Sequence, residues 1–276
     1  MKTQKQNPSS YYDAVAKHYD QLYTDPLSQA ENEIIAGKLF KKIEKKSGDV
    51  KILDLGCGTG LGYEMVKARC VEAGINLIYH GIDISSEMVK VAQEKHLTDK
   101  NCTFQVLDMN HLEQLPDNTY DIVCSIFGSF SHAEQYEEVL SNINRVLLPS
   151  GEIFLMTYSR FSLRNISNFI TKFRLKDLKF EQQYDVRNNN AGISCKAFFY
   201  STRKMFKLLK KHQFNGLHSF GVNIFFELPF IKKVFGKQSI VKFLLEKELA
   251  LGWILPNLGH SLIIEGTCSK TCGLTV

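Results

Sequence analysis

The chain has 276 residues, of which 44% are hydrophobic, 23% charged and 11% aromatic. That composition supports a sizeable core and excludes a disordered, collagen-like or coiled-coil protein. The formal net charge of +5 hides an asymmetry: residues 160–245 hold 17 Lys and Arg against 4 Asp and Glu, whereas the remainder holds 17 against 25, so one basic segment should face an anionic partner or solvent.

From about residue 50 to 158, short apolar runs alternate with longer amphipathic segments, the mark of a doubly wound α/β sheet. Val50 to Leu55 reads as a buried strand, Leu61 to Glu72 as a helix, Asn76 to Ile82 as a strand, and Glu87 to Lys95 as a helix that Ser85 or Ser86 would cap. Strands are expected at Thr103 to Leu107 and Tyr120 to Ser125. The helix from Glu134 to Leu148 should stop at Pro149-Ser150-Gly151 and lead into a strand from Glu152 to Tyr158. Beyond that point strict alternation lapses. A helix is expected over Arg160 to Phe173, then a hairpin with arms Lys179 to Val186 and Ile193 to Tyr200 around Asn188-Asn189-Asn190-Ala191-Gly192. A helix from Ser201 to His212, a strand from Leu217 to Ile224, partial helix within Phe225 to Leu251, and a last strand from Ser261 to Thr267 complete the pattern. The length suits a single domain over 1–276, with N-terminal lid helices in 1–35, a core in 36–158, cap insertions at 159–200 and 225–256, and the rest of the sheet in 201–224 and 257–276.

Neither the polar first ten residues nor any later stretch provides the roughly 18 apolar residues that a spanning helix needs, so a cytoplasmic protein is expected. Seven cysteines, at 57, 70, 102, 124, 195, 268 and 272, do not make a secreted disulfide framework. Cys268 and Cys272 have no second Cys or His pair beside them, and no metal site is expected.

The most informative stretch is Ile52-Leu53-Asp54-Leu55-Gly56-Cys57-Gly58-Thr59-Gly60, a strand that runs into a glycine turn at the mouth of a helix. A dinucleotide site wants its third glycine one position later, where Leu61 stands, and Asp54 would repel a pyrophosphate while suiting an ammonium group. Acidic residues also end the next two strands, Asp83 in His80-Gly81-Ile82-Asp83 and Asp108 in Val106-Leu107-Asp108-Met109, on the side of the sheet where open α/β folds bind ligands.

In this order and spacing the sequence resembles the class I S-adenosylmethionine (SAM)-dependent methyltransferases of small-molecule type. Tyr120-Asp121-Ile122-Val123-Cys124-Ser125 looks like their fourth-strand motif, and Arg145-Val146-Leu147-Leu148-Pro149-Ser150-Gly151-Glu152 like their helix end and turn, with Ser150 where glycine is commoner. The resemblance implies a Rossmann-like, mostly parallel seven-stranded sheet capped after the fifth strand and around the sixth. It also implies SAM as cofactor, S-adenosylhomocysteine as product, Asp83 on the ribose hydroxyls and Asp108 near the adenine amine. Tyr12-Asp13, Ala16, Tyr19-Asp20 and Tyr23 match a pattern seen before the first motif, where an aromatic helix closes over the cofactor; packing on the core is the other reading of these tyrosines. The cofactor set expected on this basis is Tyr12, Tyr19, Asp54, Gly56, Cys57, Gly58, Gly60, Asp83, Ile84, Met88, Asp108, Met109, Ser125 and Phe127.

Family members place acceptor-facing residues after the fourth strand, here Ile126-Phe127-Gly128-Ser129-Phe130-Ser131-His132. His132 is the candidate base, with a surface histidine near a helix start as the alternative, and Phe127 and Phe130 would wall the pocket. Arg160 and Arg164 are the basic residues nearest the pocket and would suit a negatively charged acceptor. The acceptor is expected to be a metabolite or natural product methylated on O, N or C. RNA is the alternative acceptor, weakened by the lack of an RNA-binding module, and a noncatalytic SAM-binding protein is a third reading. DNA is not expected, and Phe225 to Leu255 has the mixture of apolar and basic residues that rests on membrane surfaces or packs in a cap.

Overall fold

In a computed structural model, the described residues are 8–173, 175–185, 194–225, 247–248 and 250–270. Helices α1 (Pro8–Val15) and α2 (Pro26–Ile43), joined through a 3-10 helix at Ala16–Tyr23, precede the sheet. There follow β1 (Val50–Leu55), α3 (Leu61–Glu72), β2 (Leu77–Asp83), α4 (Ser86–Lys95), β3 (Cys102–Val106), β4 (Tyr120–Ser125), α5 (Tyr136–Val146) and β5 (Leu147–Ser159). After β5 come α6 (Leu163–Lys172), β6 (Glu181–Asp185), β7 (Ser194–Tyr200), α7 (Thr202–Lys211), β8 (Phe214–Val222) and β9 (Ser261–Cys268).

The main sheet runs β3-β2-β1-β4-β5 in parallel, then continues through antiparallel β9 to β8. Because successive strand residues face opposite sides, β1 sends Leu53 and Leu55 into a layer with α5 and α7, and Ile52 and Asp54 toward α2, α3 and α4. The result is a three-layer α/β/α arrangement in which both faces of the sheet are covered.

The hairpin β6–β7 joins the same sheet only at the last two residues of β5. Tyr158 pairs with Ser261 on one edge of β5 and with Phe199 on the other, the edge that β4 occupies up to Leu155. β7 therefore covers the carboxyl end of β4, over the site, as a cap inserted after the fifth strand should. The turn of the hairpin and most of Phe225 to Leu251 lie outside the described residues.

Two local readings needed adjusting. α5 ends at Val146, earlier than periodicity suggests, because Leu147 already pairs with Tyr120 and begins β5. Ser150 adopts φ 61 where glycine is commoner, while Gly151 sits so close that an added Cβ would lie 2.8 Å from the Leu148 carbonyl. α2, which periodicity had not singled out, crosses the expected 35/36 boundary and buries Ile35, Leu39 and Ile43.

Candidate active site

The carboxyl ends of β1, β2 and β3 bring Asp54, Asp83 and Asp108 into one row. Between β1 and α3, Gly56, Gly58 and Gly60 take φ of 78, 54 and 83. Gly56 has no alternative: a Cβ there would lie 2.5 Å from Ser129 Cβ, on top of the strain of positive φ. The Gly56 and Cys57 amides donate to the Ile82 carbonyl at 2.8 and 3.0 Å, which locks the turn against β2.

Asp83 accepts from the Gly58 amide and the Ser85 amide, both at 2.9 Å, one on each carboxylate oxygen. Each oxygen keeps a further acceptor position. Burial holds its carboxyl above the usual range, against the backbone donors that stabilise the charge. Asp54 is fully buried; its Oδ2 accepts from Tyr79 at 2.5 Å, and its Oδ1 has no partner in the structure. Burial raises that carboxyl to about 6. Asp108 caps the 3-10 turn after β3, accepting from the Asn110 amide at 2.9 Å, and Met109 packs beside Gly56.

The N-terminal segment lies over this row. Tyr11 and Val15 of α1 and Ala16 of the 3-10 helix pack on Met88 of α4, and two carboxylates hold the segment. Asp13 Oδ1 accepts from Ser85 Oγ at 2.6 Å and from the Glu87 amide at 3.3 Å, adding an acceptor to the α4 N-terminus that Ser85 already caps. Asp20 accepts from Thr59 of the glycine turn and from Lys95. The sequence flagged both aspartates only as parts of a pattern; their partners are 72 and 39 residues away.

A continuous run of rings connects this segment to the end of β4. Tyr19 lies against Gly58, and Tyr12 contacts both Tyr19 and His132, at centroid distances of 6.3 and 6.5 Å. Tyr23 stacks against Phe127 at 4.6 Å, and His132 meets Tyr158 edge-on at 5.7 Å. His132 Nδ1 lies 3.0 Å from the Lys196 carbonyl of β7. A carbonyl only accepts, so the neutral ring carries its proton on Nδ1 and turns the Nε2 lone pair toward the Tyr158 hydroxyl, 3.4 Å away. Burial lowers the pKa of His132, which keeps the ring neutral at neutral pH. Gly128 makes room for the pair, since a Cβ there would lie 2.5 Å from the Tyr158 ring.

Several expected residues are placed elsewhere. Ser125 is buried, donating to the Leu55 carbonyl and accepting from the Phe130 amide, so it braces β1 against the loop instead of facing a ligand. Phe130 is fully buried against Tyr200 in the α5 layer and does not wall the pocket. The Met88 side chain is under α1. Cys57 turns its thiol against Gly81, leaving only its backbone to the turn. Ile84, by contrast, is exposed just past β2. Arg160 donates through Nε to the Leu178 carbonyl and lies over Phe161, so one edge of its guanidinium serves the cap. Arg164 lies on α6, half-buried. Tyr158, Asp13 and Asp20 join the site instead. Among the described residues no group of three or more His, Cys, Asp and Glu is placed to hold a metal ion.

A glycine turn at the first strand, acidic residues at the next strand ends and a capped seventh-strand topology define a class I methyltransferase. Residues 52–151 match the model of a methyltransferase domain. The chain is 30% identical over 230 residues to protein MJ1252 of Methanocaldococcus jannaschii, covering 80% of this chain and 81% of that one. It is 33% identical over 149 residues to the demethylmenaquinone methyltransferase of Lactobacillus johnsonii, covering 53% of this chain and 58% of that enzyme. Phosphoethanolamine N-methyltransferase 2 of Haemonchus contortus, solved with phosphomonomethylethanolamine and S-adenosylhomocysteine, superposes with a TM-score of 0.59 at 17% identity, over 95% of this chain and 58% of that one. The chain belongs to the class I SAM-dependent methyltransferases and is an enzyme that uses SAM.

Proposed function

We propose that the protein methylates a small molecule on an oxygen, nitrogen or carbon atom, with His132 as the base. The observation that carries this reading is the orientation of His132, whose Nε2 lone pair faces Tyr158 within the ring of aromatic side chains that begins at the glycine turn. The names of relatives support a small acceptor: the Lactobacillus enzyme is named for demethylmenaquinone.

The chain's free acceptor positions suit SAM. Asp83 retains one acceptor position on each oxygen for the two ribose hydroxyls, and the unpartnered Oδ1 of Asp54 suits an ammonium group below the glycine turn. Asp108, Met109 and Ile84 would hold the adenine, and Tyr12, Tyr19 and Phe127 would close over the cofactor. Bound SAM supplies a methyl group on a positively charged sulfur, a donor that needs little further activation.

The rest of the work belongs to the protein. Tyr12, Tyr23, Phe127 and Tyr158 keep water from the reacting atoms, and the latched N-terminal segment holds two reactants in one geometry, an effect worth roughly 7 to 11 kcal/mol in well-oriented systems. His132 Nε2 takes the proton that an O–H or N–H acceptor loses, while the Lys196 carbonyl steadies the charge that then resides on the ring.

The test is transfer of a labelled methyl group from SAM to fractionated small metabolites, by the wild type and by His132→Ala. The variant should lose about 10²-fold to 10⁴-fold in kcat with unchanged SAM affinity. Wild-type kcat in the variant would remove the base role, and label found only in RNA would overturn the small-molecule reading.

A further inference from the structure

α6 departs from the usual arrangement of a surface helix at its C-terminal end. Leu163, Ile166 and Ile170 recur at the spacing of one helical stripe, which in a surface helix normally packs on the core, and Phe173 follows as the left-handed C-cap residue. None of the four is buried. The side chain that turns inward is Asn165, whose Nδ2 donates to the carbonyls of Ser159 and Arg160 at 3.2 Å each, while Ser162 caps the helix. The helix is thus held at the end of β5 by polar contacts, with Leu163 and Ile166 half-buried, and its C-terminal end presents apolar side chains outward. Exposure reaches 65% at Ile170, 84% at Phe173 and 67% at Leu175.

The same stretch is strongly basic. Residues 160–180 hold six Lys and Arg against a single Asp. Lys172 adjoins Phe173, and Lys176 adjoins Leu175, so charge and exposed apolar surface are interleaved. α6 also begins only a few residues past the end of β5, on the acceptor side where β7 covers β4.

We propose that α6 and the residues beside it, 161–173 and 175–179, form a docking face for an anionic lipid surface. Ile170, Phe173 and Leu175 enter the boundary between headgroups and acyl chains, and the flanking lysines meet lipid phosphates. A nucleic-acid backbone would match the charge but would leave three large apolar side chains against phosphates, which bind through hydrogen bonds. No helix among the described residues is long and apolar enough to cross a membrane, so the contact is interfacial. The inference stands apart from the assignment of His132, because lipid binding is read without turnover.

Sedimentation of the full chain with phosphatidylcholine vesicles, with and without about a third phosphatidylglycerol, tests it. The wild type should bind the anionic vesicles at least ~10-fold more tightly than the neutral ones, and less at high salt. Ile170→Asp, Phe173→Asp and Leu175→Asp together should lower that binding by about tenfold or more, as should Lys172→Glu, Lys176→Glu and Lys179→Glu together. SAM affinity and the thermal midpoint serve as the folding controls for both variants and should stay at wild-type values. Failure of the wild type to sediment with anionic vesicles would overturn the proposal, as would undiminished binding by the triple Asp variant. Two further results would assign the face to another occupant and equally overturn it: a lipid-free dimer that the triple Asp variant abolishes, or an RNA duplex bound as tightly as the vesicles by wild type and triple Asp variant alike.

Discussion

The two halves of the site are built in different ways. At the ends of β1 and β2 the cradle is made by backbone: three glycines at positive φ, amides on the Ile82 carbonyl, and Asp83 between two more amides. Over it, the N-terminal segment and the cap are held by a few side chains, chiefly Asp13 on the α4 N-terminus, Asp20 on Thr59 and Lys95, and His132 on the Lys196 carbonyl. A backbone cradle cannot yield without unfolding its strands, whereas side-chain latches can open one at a time. A site that must bind tightly and still exchange product needs both.

The largest effect should come from breaking the backbone half. Gly56→Ala places a Cβ against Ser129 at a φ that alanine resists, and should abolish measurable SAM binding while lowering stability by about 2 to 4 kcal/mol. Calorimetric titration and a thermal melt read the two effects, and near-wild-type values in both would show that the turn is more pliant than its contacts imply.

Breaking the side-chain half should cost less and leave the fold alone. With Asp13→Ala and Asp20→Ala combined, SAM affinity should fall by about tenfold, from the loss of two charge-assisted latches, with the melting transition of the core close to wild type. Removal of residues 1–24 should go further in the same direction. Equal SAM affinity in either protein would show that the tyrosines belong to the core and not to the site.

A smaller effect separates the halves by pH. Asp54 has a folded pKa raised to about 6 by burial, so the free protein favours its protonated form, and that contribution to stability is lost as pH rises from the ordinary carboxylate range through about 6. Over the same window the carboxylate forms and binds a cation better. SAM affinity should therefore rise by up to about tenfold between pH 5 and 7, a rise that Asp54→Asn removes. His132, whose pKa is lowered, should instead appear in kcat, which gains as pH climbs through a value below the ordinary histidine range and is flat above it. A pH-independent SAM affinity in the wild type would mean that Asp54 does not face the ammonium group.

What the sequence disclosed follows the same division. Gly56, Asp83 and Asp108 are legible because backbone conformation and strand ends depend on local residue type, and the first four strands are found within a residue or two, whereas β5 begins five residues before the expected Glu152. Ser125 and Phe130 were misjudged because position after a strand says which loop a residue joins, not which way it turns; the Leu55 carbonyl and Tyr200 decide that. α2 escaped notice because its inner face mixes Ile35 and Leu39 with Lys42, a buried cation that pairs with Glu152 and Glu265 more than a hundred residues away. Tyr158 reads as an ordinary strand residue until the fold sets it opposite His132.

The most direct test of the account is a calorimetric titration of SAM into the wild type and into Asp83→Ala. Asp83 uses one acceptor position of each oxygen for the backbone; with the other positions on the ribose, as proposed, its loss should weaken SAM by on the order of 2 to 4 kcal/mol without unfolding the protein. Unchanged SAM affinity in that variant, or tighter binding of NAD than of SAM by the wild type, would contradict it.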